Sequence, residues 1–383
     1  MKDAPDRADS PVGSSRQAGQ SPRDDDELIL VALSLLPVWS WRDLGDRLRA
    51  GARPGEELDR LLYERSRSPR SRVVTRAELM TRAGAAVERA QARGLRLTLW
   101  GAPSYPPLLA AIVDPPPVLW SQGSMDVLER PAVAVVGSRA ATPYALDVAT
   151  RLAADMARRG VTIVSGLARG VDSAAHRGAL SADGPTVAVV GCGADVVYPR
   201  EHAALTRAIA TTGLVVSELA PGTRPLPQFF PQRNRIISGL SKAVVIVEAG
   251  EKSGSLITAR CALEQGRDVL AVPGNVLSGR NRGGHALLRD GAKIVEVADD
   301  ILEELGMCGP SVAARPGAEG RPASRLDPVL EWLPPGEACD LDGISERSGL
   351  SPEQLLPRLL ELELDGRVRR VGAGRFVRFD RSC

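Results

Sequence analysis

Aromatic residues are scarce: Phe, Trp and Tyr together make up 3% of the 383 positions. That excludes a platform stacking many bases, as single-strand binding barrels use. Cysteine is thinly spread, with five residues (Cys192, Cys261, Cys308, Cys339 and Cys383) and no C-x-x-C pair, and the only histidines are His176, His202 and His285. A zinc site or a disulfide framework is therefore excluded, no cofactor is expected, and a reducing cytoplasm is the default setting. Charge of one sign is lacking too, since 49 basic against 47 acidic residues leave +2. No global field draws the chain to nucleic acid or membrane, so any anion site must be local. Lysine itself is rare, with only Lys2, Lys242, Lys252 and Lys293. The longest apolar stretch, Leu28 to Trp41, is broken by Pro37 and falls short of the ~20 residues of a bilayer span. The opening MKDAPDRADS is too polar for a signal peptide, so a cytoplasmic protein with no membrane partner is expected.

What is present divides the chain. Residues 1–23, rich in Pro, Ser, Gly, Asp and Arg, read as a disordered tail. Residues 24–94 repeat apolar positions at three- and four-residue spacing in ELILVALSLL, WRDLGDRLRAG, EELDRLLYERS and RAELMTRAGAAVERAQARG, which predicts a small N-terminal helical domain. A Pro-rich, extended passage opens the next unit, 95–306. In it the β-branched runs AVAVV (132–136), VTIV (161–164), TVAVV (186–190), LVV (214–216), AVVIV (243–247), VLAV (269–272) and KIVEV (293–297) alternate with amphipathic helical segments. Unbroken apolar strands separated by helices predict a doubly wound α/β domain on a parallel sheet covered on both faces. Residues 307–325 read as a Pro/Gly/Ala linker, and 326–383 as three helices and a β-hairpin, the pattern of a winged helix.

Ligands of an open parallel sheet bind beyond the carboxyl ends of its strands. The residues there are Gly137, Ser138 and Arg139; Ser165, Gly166, Arg169 and Gly170; the segment with Arg233, Asn234 and Arg235; and Lys252, Ser253 and Gly254 opening a helix. Glycines let backbone amides approach a ligand, serines donate, and a helix N-terminus carries partial positive charge. With the arginines and Lys252 on one edge, this composes an anion pocket suited to phosphate.

Nucleotide signatures are absent. Gly191-Cys192-Gly193 begins a G-x-G, but Val196 stands where the third glycine belongs. Gly250-Glu251-Lys252-Ser253 resembles a phosphate loop, yet Glu251 replaces the glycine before the lysine. No catalytic set assembles either: His176 reads as a structural histidine, Asp172, Asp195 and Glu248 as caps and arginine partners, and Cys192 as a turn residue.

The passages VVGSRAATPYA, VSGLARGVDSAAHRGAL, GCGADVVYP, FFPQRNRIISGLS and VVIVEAGEKSGSLITARCALEQGRDVLAVPG, with the Tyr-Pro-Pro and Asp-Pro-Pro-Pro lead-in, resemble the DNA-processing protein A (DprA, or Smf) family over about Leu95 to Leu305. The resemblance implies an extended Rossmann domain that binds single-stranded DNA without sequence preference. It also implies a homodimer that loads the recombinase RecA onto that strand in transformation or repair, with no catalytic activity. By position it assigns the strand-end residues named above to DNA phosphate. Two places depart from the family: Leu36-Pro37-Val38-Trp39-Ser40-Trp41 stands where a Gly-x-Gly hairpin often lies, and Gly283-Gly284-His285 where many members have Asn.

The presumptive recognition helix of the winged unit, 352–364, carries Glu353, Glu361 and Glu363 against Arg358 alone. A helix entering a DNA groove should not present acid to phosphate, so a partner-binding or regulatory role is favoured over duplex recognition. The alternative for the whole chain is a nucleotide-processing enzyme of the lysine-decarboxylase-like phosphoribohydrolase type. Its P-G-G-x-G-T-x-x-E motif is not matched by Glu248 to Ser255.

Overall fold

The computed structural model describes residues 22–37, 43–67, 74–307, 328–334, 337–364, 367–371 and 374–378. Residues 1–21 of the expected tail (1–23), 308–325 of the expected linker (307–325) and 38–41 of the hairpin place lie outside the described residues, while Pro22 and Arg23 already belong to a helix.

Four helices come first, α1 (Pro22–Ser34), α2 (Leu44–Arg49), α3 (Pro54–Ser66) and α4 (Arg76–Ala92). Local rules shape them: Pro54 takes the first helical position of α3, and Thr75 caps α4 by accepting from the Glu78 amide at 3.2 Å. The Pro-rich passage then adds β1 (Arg96–Leu99), the short α5 (Pro107–Ala110) and β2 (Val118–Gly123). Strand β1 pairs antiparallel with β2, and β2 with the sheet, so this passage builds an edge rather than a connection. Leu33, Leu58 and Leu79 of the front helices share one apolar cluster with Val118 and Trp120 of β2, which is fully buried.

The wound portion follows as β3 (Ala132–Val136), α6 (Pro143–Arg158), β4 (Thr162–Ser165), α7 (Val171–Ser181), β5 (Thr186–Val189), α8 (Ala203–Thr212), β6 (Leu214–Ser217), α9 (Phe229–Gly239), β7 (Ala243–Ile246), α10 (Ser255–Glu264), β8 (Asp268–Ala271), α11 (Arg282–Arg289), β9 (Lys293–Ile294) and α12 (Ala298–Glu304). The expected strands form, the last over Lys293–Ile294 alone of the expected 293–297. The nine-stranded sheet runs β1-β2-β6-β5-β4-β3-β7-β8-β9, parallel from β6 to β9. Both faces are covered: Ala132, Ala134 and Val136 of β3 enter one core, while Val133 and Val135 enter the other. That double burial is why its strands read as unbroken apolar runs. Strand order reverses at β3, which lies between β4 and β7, the switch point where such sheets open a ligand crevice.

The C-terminal part holds α13 (Pro328–Glu331), β10 (Ala338–Asp340), α14 (Leu341–Ser348), α15 (Pro352–Leu364), β11 (Val368–Val371) and β12 (Arg375–Arg378). It is a winged helix. Strand β10, unforeseen in the sequence, pairs with β12 and makes the hairpin a three-stranded sheet. Leu355, Leu359 and Leu362 of α15 are its buried stripe.

Helices α6 and α7 approach closely enough to forbid a side chain: a Cβ at Gly178 would lie 2.2 Å from the Thr150 carbonyl oxygen. Helix propensity alone favours Ala there by about 1 kcal/mol, whereas overpacking costs about 1–3 kcal/mol. Gly178→Ala is therefore expected to lower Tm, and an unchanged or raised Tm would show that the two helices yield without cost. On the same helix His176 is fully buried, its Nδ1 2.7 Å from the Thr186 hydroxyl. Desolvation, aided by the charge of Arg233, lowers its pKa to about 3. The unfolded chain binds that proton below about pH 6.5 and the folded chain does not, so stability is lost as pH falls from 6.5 toward 3. His176→Gln should flatten urea-derived stability against pH by about 1.4 kcal/mol per unit in that window.

Candidate nucleic-acid interface

A cleft of about 710 Å³ opens at the switch point, beyond the carboxyl ends of β3 and β7. One wall is the loop that follows β3. Gly137 has no room for a side chain: a Cβ would come 2.7 Å from Val171 and 3.0 Å from the Glu248 carbonyl oxygen. The Ser138 amide donates to that carbonyl at 2.7 Å, and the Ser138 carbonyl accepts from the Val171 amide. At the far end of the loop Thr142 caps α6 and gives both its amide and its hydroxyl to the Glu248 carboxylate, the latter at 2.6 Å. Glu248 is thus occupied as a loop anchor, and the pinned loop carries Arg139 to the cleft.

Arg139 and Lys252 are exposed and form no ion pair among the described residues, so both charges stand open to solvent at the cleft. Lys252, Ser253 and Gly254 lie at the start of α10, where the helix dipole favours negative charge; the Ser253, Ser255, Leu256 and Ile257 amides bond within the turn. The Ser253 and Ser255 hydroxyls are 2.7 Å apart.

Helix α9 is where the sequence expectation changes most. The sequence places Arg233, Asn234 and Arg235 together on the anion site, with both arginines facing it. The segment is helical from Phe229, with Pro231 in the first turn, where no amide partner is lost. Residues two apart on a helix point to nearly opposite sides. Arg233 accordingly enters the floor of the cleft, 4% exposed, donating to the Val189 carbonyl at 2.6 Å with Asp172 at 3.9 Å. Arg235 turns away and binds the buried Glu218 carboxylate and Asp114 at 3.3 Å. It ties α9 to the chain after β6 and does not line the cleft. Asn234 does line it, donating to the Gly254 carbonyl at 3.3 Å.

The loop after β4 is placed in parts. Ser165 is fully buried and donates to the Val135 carbonyl at 2.6 Å, so it braces β3 rather than facing a ligand. Gly170 adopts φ 76° against the Ser138 carbonyl, which a Cβ would approach to 2.1 Å; it too is structural. Gly166 and Arg169 border a smaller hollow beside the main cleft, and Arg169 is ion-paired to Glu201. Asp172 accepts from the Gly166 and Ala168 amides at 3.1 and 3.4 Å. Burial raises the pKa of Asp172, while the guanidinium of Arg233 opposes that shift. Burial likewise lowers the pKa of Arg233, to about 10, which leaves it charged at neutral pH. Cys192, in the turn after β5, is pushed up to about 12 by burial, far from a reactive thiolate.

Two rings complete the site. Phe230 and Tyr198 line the cleft with centroids 5.3 Å apart, and the Arg139 guanidinium lies 5.4 Å from the Phe230 ring centre. Tyr198 escaped the reading by strand ends, because it lies in a long connection between β5 and α8. His285 holds the turn after β8 through Gly274, with Nε2 3.1 Å from its carbonyl oxygen. Asn281 bridges the Ala249 amide and the Val272 carbonyl. Both are scaffold. Among the described residues there is no metal-binding cluster and no helix able to cross a membrane.

The model of the DNA recombination-mediator protein A family matches residues 96–306. The chain belongs to that family. The DprA winged helix domain model matches 313–374. Protein Smf of Escherichia coli is 41% identical over 285 residues, covering 73% of this chain and 76% of that protein. DNA processing protein DprA of Streptococcus pneumoniae is 46% identical over 200 residues, 52% of this chain and 71% of that one. Its X-ray structure superposes with a TM-score of 0.56 at 36% identity, covering 73% of this chain and 93% of that one. DNA processing protein A of Helicobacter pylori superposes at 0.51 and 30% identity over 56% of this chain and 97% of that one; that structure concerns the single-stranded DNA binding mode of the Helicobacter protein. Membership of the family gives the chain a DNA-processing role in recombination and transformation.

The two cleft arginines should separate on substitution. Arg233→Ala leaves Asp172 buried without its counter-charge and is expected to cost about 3–5 kcal/mol of stability. Arg139→Ala, at an exposed position, should change stability by no more than about 0.5 kcal/mol. Denaturant titration of both variants checks this, and equal stabilities would remove Arg233 from the floor.

Proposed function

We propose that the cleft binds single-stranded DNA through its phosphates, with bases resting on Tyr198 and Phe230. The observation that carries this reading is the juxtaposition of two unpaired cations, Arg139 and Lys252, with an aromatic pair and a helix N-terminus in one open cleft. Phosphate contacts need no particular sequence, and stacking tolerates any base. The contact set we assign is Gly137, Ser138, Arg139, Asn234, Lys252, Ser253 and Gly254, with Gly166 and Arg169 at the side and Arg233 beneath.

We further infer that the chain is a non-catalytic mediator that protects the strand and loads RecA onto it, acting as a homodimer in the cytoplasm. The residues available for chemistry support this: Asp172 is the one carboxylate among the cleft's lining residues, and it is buried and hydrogen-bonded. Glu248 is consumed by Thr142. A phosphoribohydrolase needs a free acid or base beside the sugar, so that alternative finds less support. We also propose the division into a tail (1–23), a helical domain (24–94), an extended Rossmann domain (95–306), a linker (307–325) and a winged helix (326–383).

Binding of an unstructured ~30-mer strand should exceed that of its duplex and fall steeply with salt, as counterion release requires. Arg139→Ala should weaken it by ~1–3 kcal/mol, the scale of a charge-assisted hydrogen bond. Tyr198→Ala should cost a similar ~1–3 kcal/mol with an unchanged salt slope, because stacking releases no counterions. Fluorescence anisotropy across a salt series measures all three. Equal affinity for strand and duplex, or turnover of nucleoside monophosphates, would overturn the reading.

A further inference from the structure

A second concavity of about 210 Å³ lies at the opposite edge of the sheet, where β3 and β7 begin. It is formed by the Tyr-Pro-Pro motif, whose tyrosine is spent inward: Tyr105 is buried and donates to the Pro116 carbonyl at 2.8 Å. Pro106 and Pro107 face the hollow, joined by Leu128, Pro131 and the buried Leu240. Two exposed cations, Arg130 and Lys242, line it too, neither ion-paired among the described residues, against the single carboxylate of Glu129. In a chain with four lysines and a net charge of +2, that is a local excess of positive charge.

The chemistry of the lining selects among anionic ligands. Backbone amides strengthen a phosphate site beyond what side-chain cations give, and three of the lining residues are prolines, which have no N–H to add. Backbone pairing with an added strand is also blocked: the Pro131 carbonyl already accepts from the Thr162 amide, and the Leu108 carbonyl from Arg267, at 2.8 and 2.9 Å. Recognition is left to apolar contact and to the two side-chain cations. The volume lies below the ~300–1,000 Å³ of small-molecule sites and suits a single large side chain.

We propose that this hollow docks an acidic peptide segment of a partner protein, with one apolar side chain among the prolines and leucines and carboxylates over Arg130 and Lys242. The site is separate from the DNA cleft, since the two open at opposite ends of the same strands. A partner bound there leaves the strand-binding edge free.

The test uses the full chain and a fluorescein-labelled peptide, Leu-Asp-Phe-Asp-Leu-Asp, followed by anisotropy. Its Lys-for-Asp counterpart and hexa-aspartate are the controls. The acidic apolar peptide should bind at least about tenfold more tightly than either control, since both charge and apolar burial are needed. The double variant Arg130→Glu/Lys242→Glu should bind it about tenfold more weakly, while its affinity for oligo-dT of about 30 nucleotides stays as in the parent. No binding of the acidic peptide, or equal binding by the double variant, overturns the proposal. Displacement of the peptide by oligo-dT also overturns it, because that result places the peptide in the DNA cleft. The oligo-dT affinity of the parent chain is read separately, so failure of the DNA reading does not mimic failure of this one.

Discussion

The guanidinium of Arg233, buried beneath the cleft, is the group on which the site depends. It reaches the Val189 carbonyl at the end of β5 and stands beside Asp172 at the start of α7, while its own backbone belongs to α9. Asp172 in turn holds the Gly166 and Ala168 amides of the loop after β4. One buried pair therefore sets the relative positions of two helices, a strand end and a loop. Its proximity forces glycine at 166, where a Cβ would fall 1.7 Å from Nη1. Burying a charge is tolerable only with such partners, so the floor is rigid by necessity.

Above that floor, a different economy applies. Arg139 and Lys252 remain exposed and unpaired, and their loops are held by backbone hydrogen bonds rather than by ion pairs of their own. The charges that shape the fold are thus neutralised internally, and those that the proposed function assigns to a ligand are left over. This separation shows how a chain of nearly balanced charge can keep a local concentration of positive charge at the cleft.

The two ends of the parallel strands differ in the same terms. At the carboxyl ends, glycines open space beside exposed cations and the positive end of a helix dipole, a setting suited to phosphate. At the amino ends, prolines remove donors and leave apolar surface with two cations. The polarity of the parallel sheet gives the molecule two unlike edges.

Much of this was legible in residue order. The seven β-branched runs marked seven strands, since strands buried on both faces must be apolar throughout. The glycine and serine positions after β3, and Lys252 to Gly254 before α10, located the cleft because ligands meet parallel sheets at carboxyl ends. The winged helix was readable from spacing, apart from β10, which is too short to carry a period. What only the tertiary structure decided was the direction of side chains: Arg233 and Arg235 are equivalent as letters, yet helical geometry sends one under the cleft and the other to Glu218. Ser165 at the end of β4 and Gly170 in the loop after it likewise serve the scaffold. Tyr198 joins the site only because a long connection folds it against Phe230, and contact across that many residues leaves no local pattern to read.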